Sequence, residues 1–135
     1  MIVGITFSCF DLLHAGHIHY LKEARGMGDV LVVLINDDES VKKIKGSKRP
    51  VNKLADRVAL LECLPFVDYI LSFRERTPIK VYEKFIPDVL VKGDDYKIDQ
   101  IVGHEIVLKN GGKVKTVEKI EGHSSTAIIK KIGNI

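Results

Sequence analysis

The residues with the most to offer chemistry stand at positions 6–17, Thr-Phe-Ser-Cys-Phe-Asp-Leu-Leu-His-Ala-Gly-His. His14 and His17 are three apart, so on a helix they share one face, one turn apart. Ahead of them Ile2-Val3-Gly4-Ile5 is apolar and β-branched, and behind them Ile18, Leu21 and Ala24 recur at helical spacing. A strand therefore turns into a helix here. Such a turn offers unpaired backbone N–H groups and the positive end of a helix dipole, which favour phosphate. Gly16 lets the backbone come close to a ligand, and two imidazoles at that place suit the charge that develops in a phosphoryl transfer. Two plainer readings compete: polar residues at an ordinary helix start, or, together with His19, ligands of a metal ion.

Three further polar clusters carry possible chemistry. Residues 42–49, Lys-Lys-Ile-Lys-Gly-Ser-Lys-Arg, hold five cations in eight positions, which reads either as a solvated loop or as lysines reaching phosphate. Lys92-Gly93-Asp94-Asp95-Tyr96 is a turn by composition, or a loop that closes over a nucleotide with a carboxylate toward it. Ser124-Ser125-Thr126 follows Gly122-His123 at a helix start, where capping needs one hydroxyl and the surplus points to a second anion site.

The elements that must position these clusters alternate along the chain. Strands are expected at 2–5, 30–35, 68–73, 89–92 and 113–117. The run Val-Leu-Val-Val-Leu-Ile at 30–35 has the continuous apolarity of a strand buried on both faces. Residues 36–40 read as a polar turn, and Pro50 ends any helix in the basic segment. A helix is expected over 52–64, capped by Asn52 and burying Leu54, Val58, Leu61 and Leu64, with Cys63 in the core. Others are expected over 77–86, with Pro78 in the first turn, over 100–110, stopped by Gly111-Gly112, and over 127–132. Strands separated by such helices make a parallel sheet covered on both faces, and its ligands bind beyond the carboxyl ends of the strands. Each polar cluster falls at one of those ends.

Size and composition narrow the field. A chain of 135 residues is expected to form one domain over 1–135. With 45% hydrophobic and 29% charged residues it has the composition of a soluble globular protein. No apolar run nears the roughly 18 residues of a membrane span, and no signal-peptide pattern opens the chain, so the expected location is the cytoplasm. Cys9 and Cys63 form no Cys-x-x-Cys pair. A net charge of +3 is too mild for a nucleic-acid-binding domain.

Together the clusters resemble the nucleotidyltransferase superfamily marked by His-x-Gly-His, here His14-Ala15-Gly16-His17. The likeness is closest to its cytidylyltransferase-like group and runs on through Lys45-Gly46, Arg49-Pro50-Val51, Asp56-Arg57, Val67-Asp68, Thr77-Pro78, Pro87-Asp88, Lys92 to Tyr96, Gly111-Gly112 and Ser124 to Thr126. Within the group the chain is most similar to the adenylyltransferases of heptose 1-phosphate, and also similar to glycerol 3-phosphate cytidylyltransferases. Ser8 and Asp94 depart from glycines usual in the family and heptose enzymes respectively, and Lys119 stands where the glycerol enzymes have an arginine.

The resemblance implies a Rossmann-like three-layer α/β/α fold with a five-stranded parallel sheet. It implies attack by a sugar or polyol phosphate on the α-phosphorus of ATP or CTP, with Mg²⁺ accompanying the triphosphate and no metal held by protein side chains. His14, His17 and Lys45 would be catalytic. Thr6, Cys9, Phe10, Asp94, Gly122, Ser124, Ser125 and Thr126 would bind the nucleotide with the two histidines, and Lys42 and Lys43 the acceptor phosphate, while Asp11 braces the turn. A homodimer is the family's habit.

Overall fold

The computed structural model describes all 135 residues. In chain order the elements are β1 (Val3–Ser8), α1 (Ala15–Arg25), β2 (Val30–Asn36), α2 (Asp38–Lys45), α3 (Leu54–Glu62), β3 (Tyr69–Phe73), α4 (Ile79–Lys84), β4 (Val89–Gly93), α5 (His104–Lys109), β5 (Lys113–Val117) and α6 (Ser125–Gly133). The five strands form one sheet of order β3-β2-β1-β4-β5, parallel throughout. This is the parallel sheet that the alternation of elements predicts and the Rossmann-like α/β fold that the family resemblance implies. The winding reverses beside β1, between β2 and β4, and a crevice opens there at the strands' carboxyl ends.

Strand periodicity divides the core. Leu31, Val33 and Ile35 of β2 pack with Phe10, Leu21, Ala24 and Leu61 on one face of the sheet. Val32 and Leu34 point the other way and meet Ile5, Tyr82, Leu90 and Val107. The apolar run at 30–35 is thus buried on both sides. At the β3 edge the second cover is missing, and Tyr69 and Leu71 stay exposed.

Several local expectations give way to capping and tertiary contacts. The stretch expected as a turn at 36–40 begins α2, because the Asp37 carboxylate accepts the Ser40 N–H at 2.8 Å and caps the helix. Asn52 is no cap: α3 starts at Leu54, whose N–H is taken by Asp38 at 2.9 Å, while the Asn52 N–H goes to Asp11. Pro78 sits at the N-cap of α4 rather than inside its first turn. The helix expected over 100–110 is broken, with a 3₁₀ turn at Ile98–Gln100 and then α5 from His104. Gly103 causes the break: its φ is +90°, and a Cβ there would lie 2.4 Å from the Tyr82 ring. Cys63 is exposed at the end of α3, outside the core.

Candidate active site

The turn after β1 is built around a conformation rare for a side chain of this size. Phe10 has φ of +48°, held because its ring is buried in the core, 5.0 Å from the His17 ring. The next residue, Asp11, is buried and fully engaged: it accepts Arg49 Nε at 2.6 Å and the N–H groups of Val51 and Asn52 at 2.8 and 3.0 Å. One carboxylate thus fastens the basic loop to the turn, the bracing role expected of it.

His14 is the N-cap of α1, and the two imidazoles take up two of the N–H groups at this helix start. His14 Nδ1 accepts the Gly16 N–H at 3.1 Å, and His17 Nδ1 accepts the His14 N–H at 3.3 Å. A backbone N–H can only donate, so each Nδ1 carries a lone pair and each neutral ring carries its proton on Nε2. The rings stack with centroids 3.8 Å apart. Burial, helped by the neighbouring charges of His14 and Lys119, pushes the His17 pKa down to about 3. Burial also lowers that of His14, with His123 and Lys119 adding to the effect. Both are neutral donors at pH 7. Gly16 makes room for this: a Cβ on it would lie 2.9 and 3.0 Å from His14 Cε1 and Nδ1 and 2.9 Å from the His123 Cβ.

A cleft of about 520 Å³ opens over these residues. Cys9, Phe10, His14, His17, Lys45, Ser124, Ser125 and Thr126 all line it, so most of the residues singled out in the sequence come together. Thr6 lies beneath it, fully buried, its hydroxyl bonded to that of Tyr20, which donates on to the Val91 carbonyl. Burial raises the Tyr20 pKa, so this hydroxyl stays protonated. Lys42 and Lys43 lie outside the cleft, the first beside Glu39 and the second near the Arg74 carbonyl, each at 3.5 Å. Asp94 also turns away from it, accepting the Lys119 N–H at 3.2 Å, while Asp95 lines the cleft and pairs with Lys119 Nζ at 3.1 Å. Gly122 takes φ of +79° in the loop before α6 and does not line the cleft.

The hydroxyl cluster divides its work. Ser124 caps α6 by accepting the Ala127 N–H at 2.9 Å. Ser125 Oγ accepts the Leu12 N–H at 3.1 Å and donates to the Leu12 carbonyl at 3.0 Å, which locks the α6 N-terminus against the turn that carries the histidines. Thr126 alone has an uncommitted hydroxyl facing the cleft. No three His, Cys, Asp or Glu side chains converge closely enough to hold a metal ion.

The sequence model of the cytidylyltransferase-like family matches residues 5–131. The chain belongs to that family. As a cytidylyltransferase-like domain it is a nucleotidyltransferase. It is 51% identical over 132 residues to the bifunctional protein HldE of Pseudomonas fluorescens (strain SBW25), which covers 98% of this chain and 28% of that protein. The HldE of Haemophilus ducreyi is 50% identical over 130 residues, 96% of this chain and 27% of its own length. The chain therefore spans just over a quarter of these curated relatives. Among solved structures, the lipopolysaccharide core biosynthesis protein of Thermoplasma volcanium GSS1 superposes with a TM-score of 0.71 at 34% identity, over 89% of this chain and 97% of that one. Thermotoga maritima TmcAL bound with alpha-thio ATP shares the fold alone, with a TM-score of 0.74 at 13% identity over 99% of this chain and 50% of that one.

Two side chains quoted in the family resemblance have larger parts in this domain than their sequence context reveals. Arg57 of α3 is completely buried and donates to the carbonyls of Cys9, Asn36 and Asn52 and to the Asp38 carboxylate, at 2.7 to 2.9 Å. It ties the ends of β1 and β2 to α2. A signal was there: Arg57 stands on the apolar face with Leu54, Val58 and Leu61. Lys92 donates to the Phe7 carbonyl at 2.7 Å and lies 4.0 Å over the Phe7 ring. Burial lowers its pKa to about 8, against the opposing pull of Asp95.

Proposed function

We propose that the chain transfers the adenylyl group of ATP to a phosphorylated sugar, D-glycero-β-D-manno-heptose 1-phosphate, with release of pyrophosphate. The observation that carries the reaction class is the stacked histidine pair, each ring presenting one Nε2–H beside the N-terminus of α6. The acceptor is supported by about half identity to HldE along nearly the whole chain and by likeness to a lipopolysaccharide core biosynthesis protein.

An oxygen of the acceptor phosphate attacks the α-phosphorus, and the bond from that phosphorus to the oxygen bridging to the β-phosphate breaks. That oxygen leaves on pyrophosphate. The nucleophile is already an anion, so the protein positions and stabilises charge. His14 and His17 donate to oxygens of the transferring and leaving phosphates, and Lys45 neutralises the charge gathering on the transferring group. The free N–H groups of the α6 first turn and the Thr126 hydroxyl hold the β- and γ-phosphates. Cys9 and Phe10 frame the nucleoside with their backbone, Thr6 supports them from below, and Asp94 steadies the Lys119 wall. Lys42 and Lys43 draw anions toward the entrance. Asp11 and Asp95 are engaged with Arg49 and Lys119, so Mg²⁺ would enter with the triphosphate rather than be held by these carboxylates. There it would offset charge on the leaving pyrophosphate. The working form is a cytoplasmic homodimer, with the exposed Tyr69 and Leu71 of the β3 edge covered by a second copy.

The family's own name favours a second reading, transfer of a cytidylyl group from CTP to glycerol 3-phosphate or a related polyol phosphate. Pyrophosphate release from ATP and from CTP, each with a panel of sugar and polyol phosphates, decides between them. The expected result is turnover with ATP and the heptose phosphate. Preference for CTP supports the second reading, and release from neither leaves a nucleotide-binding regulator as the function.

A further inference from the structure

The cleft has a second wall, opposite the histidines, that the roles above leave unused. It is formed by the segment after β3 and is pinned from within. Buried Asn36 donates to Ser40 Oγ at 2.9 Å, and the buried Ser40 hydroxyl donates to the Glu75 carbonyl at 2.5 Å. The Asp37 N–H is bonded to the Phe73 carbonyl at 2.9 Å. These bonds anchor residues 73–75 to the start of α2 and bring Arg76 and Thr77 to the cleft.

Charges along this segment are disposed unequally. Arg74 lies outside and pairs with Asp37 at 3.2 Å, and Glu75 pairs with Lys80 at 3.5 Å. Arg76 has no carboxylate partner, and neither has Lys45 in the same cleft, whereas Arg49 is neutralised by Asp11. Lys92 also lines the cleft without a carboxylate partner but is tied to the Phe7 carbonyl, which leaves two exposed uncompensated cations, Lys45 and Arg76, to match the dianion of one phosphomonoester. Beside Arg76, Thr77 and Gln100 offer hydrogen bonds, and Ile101 and Val102 offer apolar surface.

We propose that Arg76, with Lys45, grips the acceptor phosphate, and that the wall around it selects a neutral polyol bearing a single phosphomonoester. This rests on the reading of the chain as a sugar-phosphate nucleotidyltransferase. Arg76 replaces Lys42 and Lys43 as the acceptor's ligand, since those two lie outside the cleft. It also separates the two anionic reactants, with the triphosphate on the histidine and α6 side and the acceptor on the β3 side. A second phosphate or a carboxylate on the acceptor finds no further exposed and unpaired cation in the cleft, since Arg49 and Lys119 are paired and Lys92 is held by the Phe7 carbonyl, and must shed its water without compensation.

Steady-state pyrophosphate release by the full chain tests this. Arg76→Ala is expected to raise the KM for the sugar 1-phosphate by about tenfold and to move the KM for ATP less than twofold. Arg76→Lys should recover most of the loss, and Arg74→Ala, which removes the same charge outside the cleft, should leave both unchanged. The same sugar with a second phosphate should be used much less well. An unchanged acceptor KM in Arg76→Ala, an equal rise in the KM for ATP, or equal use of the bisphosphate overturns the proposal while leaving the reaction class intact. Should wild type release no pyrophosphate with any acceptor, the wider functional reading fails. Calorimetric binding of glucose 1-phosphate then decides about Arg76: about tenfold weaker binding to Arg76→Ala sustains the anion site, and equal binding removes it.

Discussion

Replacing Gly16 by alanine separates what folds this domain from what lets it act. Gly16 is the second residue of α1, and its backbone does not need a positive φ. Alanine is the better helix former, so intrinsic propensity favours the variant by up to about 1 kcal/mol. The methyl group, however, arrives 2.9 Å from His14 Cε1, 3.0 Å from His14 Nδ1 and 2.9 Å from the His123 Cβ, against at least 3.4 Å in ordinary contact. The shortfall is 0.4 to 0.5 Å at each atom. His123 is exposed on a loop and can yield. The His14 ring is held from two sides, by the Gly16 N–H and by the stacked His17 ring, so it moves only by giving up its cap bond and its register with His17.

A displacement of about 1 Å in a positioned group costs on the order of 100-fold in rate, so one of about half that size costs on the order of 10-fold. The expected outcome is therefore a kcat/KM lower by about tenfold, with a melting temperature close to that of wild type, since the gain in propensity offsets the lost, partly buried cap bond. Thermal denaturation followed by circular dichroism, and pyrophosphate release at saturating ATP, measure the two effects on one preparation. Activity within threefold of wild type would show that the His14 ring position is immaterial and would refute the role assigned to the pair. A parallel fall in stability and activity would show instead that Gly16 is there for packing.

Two further outcomes follow from buried groups. Arg57→Met leaves the carbonyls of Cys9, Asn36 and Asn52 without their donor and should destabilise the fold by about 3 to 5 kcal/mol, read from the urea midpoint, with Arg57→Lys in between; a loss under about 1 kcal/mol would mean that water replaces the guanidinium at no cost. His17 titrates near 3 in the folded chain and near 6.5 when unfolded. Below pH 6.5 the unfolded state therefore binds the additional proton, and stability falls as pH drops from about 6.5 toward 3, by about 1.4 kcal/mol per pH unit near pH 5. His17→Asn should flatten the pH dependence of the urea midpoint in that window, and an unaltered slope would place the acid sensitivity elsewhere.

The order of strands and helices was legible because hydrophobic periodicity reports burial directly, as at 30–35, where each alternate residue meets a different half of the core. The histidine turn was legible because its spacing coincides with a change of period from strand to helix. What escaped the sequence depends on partners far away along the chain. Asn36 to Ser40 has the composition of a turn and of a helix cap alike, and the helix following Asp37 decides between them. Asp94 and Asp95 are interchangeable in one dimension, and only the position of Lys119 sends one into the cleft and the other to a backbone N–H. Among the lysines, Lys45 lies four residues after buried Val41 and so shares its inward face, whereas Lys42 and Lys43 do not. That periodicity was readable, but the density of charge hid it.

The hydrogen bonds at the two histidines also restrict the chemistry the proposed reaction can use. A general base needs a free lone pair on nitrogen. In each ring Nδ1 is occupied by a backbone N–H and Nε2 carries the proton, so neither imidazole can accept another proton without first breaking its cap bond. Charging both rings is opposed further by their stacking at 3.8 Å and by the burial of His17. The pair is therefore built to donate, and to remain neutral while doing so. A reaction whose nucleophile is an alcohol would need a base that this turn does not provide. A phosphate monoester is already ionised at neutral pH and needs none. The cap that starts α1 thus points to the same acceptor class as the uncompensated cations on the opposite wall, by an argument independent of charge.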